Sequence, residues 1–312
     1  MTIILAVLPV FLLLVLGVFL RRIRFLPDDT WVGFDRLVYW VLFPALLFNK
    51  TSQIDLYSPM IPTYATLLLG ALVVTAAVSF LGGFLLKLAP PQNSSLLQAS
   101  VRYNTFITLA IAQQLYGSEG LVLATIGAAV LIPTINVFLV ISMVLMHGDR
   151  NASVIRLVVK ELFRNPLVLS IATGLSVNAL GWSPVLILTN VTEILSQATL
   201  PLVLLAVGAS VRLDAVKDVG KAFVWGSVSR MLVFPAVIFA LCVQLDISGL
   251  PAAIALLFGF SPTATSAYAL ARQLGGDAPQ MAAHITLQTG LCLVTIPLSI
   301  ALTQWWMEGA FS

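Results

Sequence analysis

Two short stretches place polar groups inside long apolar runs. The first holds Gln98, Ser100, Arg102, Asn104, Thr105, Thr108, Gln113 and Gln114; the second holds Ser261, Pro262, Thr263, Thr265, Ser266, Arg272 and Gln273. At a separation of 157 positions, Asn104 aligns with Ser261 and Thr105 with Pro262. Polar side chains at membrane depth face a protein interior or a water-filled cavity. Pro262 lacks an N–H and clashes with the carbonyl of Phe258, and Gly259 loosens the same turn, so a helix break is expected there. A break exposes a half-helix N-terminus able to hold an anion. The competing reading is a proline kink whose freed groups bond to neighbouring hydroxyls. Asn104 falls about 14 Å along its predicted helix, near the middle of a ~30 Å hydrocarbon core. Its amide can donate and accept, which suits a carboxylate; the competing role is an interhelical hydrogen bond worth about 0.6 kcal/mol. The candidate substrate-binding set is therefore Asn104, Thr105, Ser261, Pro262, Thr263 and Thr265.

Four further ionisable residues lie within apolar runs. Arg102 is expected to snorkel to the cytoplasmic surface or pair structurally, with a substrate-anion contact as the alternative. Arg230 is read as structural. Glu193 lies on an Asn190, Glu193, Gln197 stripe that would line an outer vestibule, handle a proton or form a solvated helix end. His284 could carry a proton, but a buried, hydrogen-bonded histidine is the plainer reading. No metalloprotease, nucleophile-elbow or phosphate-loop motif occurs, and two histidines make no metal site. The chain is therefore read as no enzyme and as having no cofactor.

The elements that position these residues follow from composition. Of 312 residues, 59% are hydrophobic and 9% charged, against about a quarter charged in soluble domains. The expected class is an all-α membrane protein. Ten transmembrane helices are predicted, near 2–20, 36–51, 60–87, 95–115, 120–146, 165–181, 187–211, 219–245, 251–273 and 279–305. Runs this long need their backbone groups bonded within the segment, which excludes strands. Arg21, Arg22 and Arg24 follow the first run and no cation precedes it, so that run reads as a retained span rather than a cleaved signal. With both termini outside the inner membrane, thirteen of the sixteen Lys and Arg residues fall on the cytoplasmic side, Arg150 and Lys217 among them. Trp182, Trp305 and Trp306 would form an outer aromatic belt, and Trp31 and Trp225 an inner one. Cys242 and Cys292 read as small core residues.

A repeat divides the chain. Pro9 and Pro166, Gly17 and Gly174, and Pro44 and Pro201 are each separated by 157 positions, and the stretch 110–117 parallels 269–276. The expected boundaries are a first repeat over 1–146, a cytoplasmic linker over 147–164 and a second repeat over 165–312. Five helices per copy is an odd number, so the second copy inserts inverted. Inverted repeats with a midplane site are the architecture of many secondary transporters.

These residues resemble the auxin efflux carrier family, which includes plant PIN-FORMED carriers and bacterial dicarboxylate permeases. The likeness spans nearly the whole chain. It rests on Asn165-Pro166-Leu167, on the 201–210 stretch PLVLLAVGAS, on Arg230 five residues before Pro235, and on Ser261-Pro262-Thr263-Ala264. Ala282-Ala283 and the stretch from Thr289 to Pro297 complete it. The resemblance implies ten helices in two inverted five-helix repeats. Helices 1, 2, 6 and 7 would form a scaffold, helices 3–5 and 8–10 a transport unit, and broken helices 4 and 9 would cross at the centre. It carries the family's substrate-facing asparagine to Asn104 and its crossover proline to Pro262. The family's Gly and Pro after that asparagine are replaced here by Thr105-Phe106-Ile107-Thr108, so a less unwound first crossover is expected. The function expected is alternating-access transport of small organic anions, carboxylates foremost. A sodium-coupled symporter of the bile acid carrier type is the alternative within transport; a membrane-embedded enzyme or a receptor is the alternative outside it. The partners expected are an organic anion, the lipid bilayer and, at most, a second copy of the chain, with no nucleic acid.

Overall fold

The computed structural model describes residues 2–147, 153–181, 186–212 and 220–309. Arg150, Trp182, Ser183 and Lys217 lie outside them. Every regular element among the described residues is a helix, with no strand. Twelve helices are distinguished: α1 Thr2–Arg22, α2 Asp28–Thr51, α3 Met60–Leu85, α4 Pro90–Val101, α5 Thr105–His147, α6 Val154–Arg164, α7 Pro166–Ala179, α8 Leu186–Ser210, α9 Lys221–Gln244, α10 Gly249–Phe260, α11 Ser266–Gln273 and α12 Ala278–Gly309. Six stretches among the described residues are long and apolar enough to cross a membrane, and Pro166–Ala179 and Gly249–Phe260 are shorter apolar helices. Large apolar side chains such as Leu12, Phe19, Val73, Phe84 and Val294 lie exposed around the outside, a surface that suits lipid rather than water.

The helices are not straight rods, and the local sequence says why. A π-helical turn spans Val38–Leu42 ahead of Phe43-Pro44, and another spans Ser229–Val233 ahead of Phe234-Pro235. Each proline removes a donor and crowds the carbonyl four residues back, so the turn before it widens. Inside α5, Gly117 has φ 61° and ψ −148°, a conformation that a side chain would strain. It divides α5 into the segments 105–116 and 118–147, close to the predicted boundary between the fourth and fifth spans. Two further differences from the sequence reading stand out. The second span starts at Asp28, because an amphipathic turn carrying Trp31 extends it and buries that indole. Trp31 therefore joins the core rather than a lipid-facing belt. The predicted linker 147–164 contains α6, whose N-terminus is held by Arg156 N–H donating to Ser153 Oγ at 3.4 Å.

Helices α1, α2, α7 and α8 pack on one another, while α3, α4 and α10 pack on α5, and α9, α11 and α12 pack on α3, α4, α10 and each other. Close approach in the first group depends on small residues. A Cβ on Gly17 would overlap the carbonyl of Leu205, and a Cβ on Gly208 the carbonyl of Leu14. Gly174 meets Thr51 Oγ1 and the carbonyl of Phe48 in the same way. Gly17 with Leu205 and Gly174 with Phe48 are one contact seen twice, since each partner shifts by 157 positions. Thr199 Oγ1 donates to the Leu42 carbonyl at 2.9 Å, a bond between two positions that are themselves 157 apart.

Candidate functional site

The polar stretches singled out in the sequence sit where two helices are interrupted. Helix α4 ends at Val101, and Arg102 leaves it in extended conformation, φ −76° and ψ 132°. Helix α10 ends at Phe260, and Ser261 leaves it almost identically, φ −76° and ψ 146°. The backbone amide of Asn104 donates to the Pro262 carbonyl at 2.7 Å, so the two breaks touch. The first break needs neither Gly nor Pro. Extended backbone at Arg102 ends one helix, and Asn104 starts the next by accepting from the Ile107 amide at 3.2 Å, an N-cap. The first break, residues 102–104, is shorter than the second, residues 261–265.

The N-terminal ends of the second halves open onto a cavity of about 1180 Å³. Asn104, Thr105 and Phe106 line it from α5, and Ala264, Thr265 and Ser266 from α11. First-turn amides of a helix have no intrahelical acceptor, and they carry the positive end of the dipole. Two such ends converge on one space. Asn104 is 1% exposed, and its Nδ2 is a buried donor without a partner.

The balance of charge in the cavity wall has the same sign. Arg21, Arg102, Lys160, Arg164 and Arg212 line it, against two carboxylates, Asp35 and Glu161. Arg102 does not snorkel away. It is 8% exposed and donates to Ser266 Oγ at 3.2 Å and to Asn136 Oδ1, tying the first break to α11 and to the second segment of α5. Arg212 lies 4.9 Å over the Tyr268 ring at the rim.

The other predicted residues divide. Ser261, Pro262 and Thr263 are buried behind the cavity wall rather than in it. Thr263 donates its amide (2.9 Å) and hydroxyl (2.7 Å) to Gln288 Oε1, and its hydroxyl also reaches the Ala99 carbonyl at 2.8 Å. These residues shape the crossing; Thr265 lines the cavity. His284 is fully buried outside the cavity, 3.5 Å from Gln288 Nε2 and stacked near Phe223. Glu193 is exposed on the flank of α8 and does not reach the cavity. Arg230 lies behind the second break, where Nε donates to the Ser261 carbonyl at 3.0 Å.

Asn136 and Gln288 were missed from sequence. Each was legible as an amide inside an apolar run, the signal that singled out Asn104. The cavity role of Arg21, Arg164 and Arg212 was hidden because charges at helix ends look alike whether they face lipid headgroups or a vestibule.

Comparison with known proteins agrees with this architecture. The sequence model of a family described as membrane transport protein, that of the auxin efflux carriers, matches residues 2–300. An uncharacterized transporter of Methanocaldococcus jannaschii is 25% identical over 306 residues, covering 94% of this chain and 96% of that protein. A multi-helix membrane chain, interrupted at two touching helices and matched over nearly its full length, belongs to the auxin efflux carrier family of membrane transport proteins.

Proposed function

We propose that the chain is a secondary carrier of small organic anions, carboxylates foremost, working by alternating access across the inner membrane. The observation that carries the substrate class is the cavity: two half-helix N-termini meet in it, and five cationic side chains face two carboxylates. The unpartnered Nδ2 of Asn104 supplies a directed donor where a carboxylate oxygen would sit.

The mechanism follows from the packing. The chain is read as two inverted repeats of five spans, with α4 continuing into 105–116 as one broken span and α10 continuing into α11 as its counterpart. The reciprocal contacts of Gly17 with Leu205 and Gly174 with Phe48 support that symmetry. Helices α1, α2, α7 and α8 would form the scaffold. The remaining spans, carrying both breaks, would rock against it. With both termini outside, the cationic cavity opens to the cytoplasm, and an anion reaching Asn104 is released outward when the unit tilts. Uptake of labelled organic acids into proteoliposomes tests this: accumulation above protein-free vesicles is expected for at least one carboxylate. Accumulation of cations or neutral solutes alone would remove the proposed substrate class.

A further inference from the structure

The two breaks produce C-terminal helix ends as well as N-terminal ones, and the two kinds are treated oppositely. The N-terminal ends open to the cavity. The C-terminal ends are closed by the protein. The Ala99 carbonyl of α4 accepts from Thr263 Oγ1 at 2.8 Å, and the Phe260 carbonyl of α10 from Thr295 Oγ1 at 3.1 Å. The Ser261 carbonyl accepts from Arg230 Nε at 3.0 Å, and the Phe258 carbonyl from Arg230 Nη2. In carriers built on broken helices, freed carbonyls at such ends are where a coupling sodium ion or proton is held. Here a guanidinium takes that position.

Arg230 is an unusual group to find there. It is fully buried, and no carboxylate lies within ion-pair distance of it among the described residues, where the one ion pair is Arg21 with Asp28. Its compensation comes from the two carbonyls, the negative end of the α10 dipole, and the ring of Phe234 at 4.5 Å beneath the guanidinium. The π-helical turn at Ser229–Val233 widens α9 at this residue. Gly259 packs on Pro235, where a Cβ would sit 2.9 Å from its Cα. A guanidinium stays charged under all ordinary conditions, and an uncompensated buried charge is not tolerated. The site is therefore built around a permanent cation.

We propose that Arg230 is a tethered cation standing where a coupling sodium ion would otherwise bind, so that the carrier takes up and moves its anion without sodium. The inference rests on the carrier reading above, but its test reads cation binding and not uptake. A failed anion-uptake assay would thus overturn the substrate class alone, and sodium binding would overturn this proposal alone. The experiment compares the thermal unfolding of the purified full-length protein in sodium chloride and in choline chloride at equal ionic strength, alongside binding of radioactive sodium. The wild type is expected to unfold at one temperature in both salts and to bind no sodium saturably. Arg230→Met, which keeps bulk and removes charge, is expected to unfold roughly 5–15 °C lower, while Arg230→Lys keeps most of the stability. In Arg230→Ala, millimolar sodium or methylguanidinium is expected to restore part of the lost unfolding temperature. Sodium stabilisation of the wild type, a Met variant as stable as wild type, or an Ala variant that no cation stabilises would each overturn the proposal. If the Ala variant yields no folded protein, the contrast between Lys and Met decides: equal stability of the two removes the tethered cation.

Discussion

The Asn104 amide meets the Pro262 carbonyl at 2.7 Å, and the Asn104 side chain simultaneously caps the helix that starts there. One residue in the cavity wall therefore joins the two breaks through its backbone, and its side chain both caps a helix and keeps a buried amide donor without a partner. These two duties separate by mutation. Asn104→Ala keeps the backbone bond to Pro262 and loses both the side-chain cap and the side-chain donor. It should cost about 1 kcal/mol through the cap and weaken anion binding about ten- to a hundredfold, at ~1.4 kcal/mol per decade. Asn104→Asp keeps an acceptor for the Ile107 amide but places negative charge beside an anion. It should keep the cap while bearing the cost of a buried carboxylate, and transport worse than the alanine variant. An aspartate variant with wild-type uptake would reduce Asn104 to a helix cap.

The scaffold contact is testable by volume alone. Gly17→Ala and Gly174→Ala each push a methyl into a backbone carbonyl or a buried hydroxyl, and overpacking of this kind costs about 1–3 kcal/mol. Gly290→Ala meets nothing within 4 Å and should be neutral or slightly stabilising, since Ala is the better helix former. Thermal unfolding in detergent compares the three. Equal unfolding temperatures would mean that α1 and α8 do not approach as closely as described.

The proposed orientation, with both termini outside, predicts a labelling pattern. A single cysteine at Ser58 should react with an impermeant maleimide in intact cells, while one at Ser153 should react only after permeabilisation. Ready labelling at position 153 in intact cells would invert the topology and place the cationic cavity on the outside.

Much of this architecture is legible in the sequence. Period and length placed the apolar runs, and Pro262 announced the second break through its missing donor. The first break was harder to read because it contains no breaker. What ends α4 is extended backbone at Arg102, stabilised by Arg102 reaching Ser266 and Asn136 and by the Asn104 cap. Those partners are 164 and 34 positions away, and no local pattern reveals them. The same limit explains α6. Its residues read as a polar connection because charge is frequent there, whereas the VIRLVVKELFR pattern puts its apolar positions along one helical face. Ser261 and Thr263 were read as substrate-binding residues but lie behind the cavity wall, because linear sequence does not tell which side of the break faces the cavity.

An anion drawn into a cavity with net positive charge should also bind more weakly as salt rises, because mobile ions screen the attraction over about 8–10 Å near 0.1–0.15 M. Half-saturating substrate concentration should therefore climb with ionic strength at constant pH. Arg102→Met, which removes the buried cation nearest Asn104 in sequence, should flatten that dependence and lower affinity about tenfold. Salt-independent uptake would show that the cavity cations are structural.

Proteoliposome uptake run in parallel for the wild type, Asn104→Ala and Asn104→Asp, against a panel of labelled mono- and dicarboxylates and matched amines, tests the central claim most directly. The account predicts saturable wild-type uptake of at least one carboxylate, with amines excluded. It also predicts loss in the order wild type, alanine, aspartate. Uptake of an amine that improves in the aspartate variant would contradict it, because the site would then select a cation.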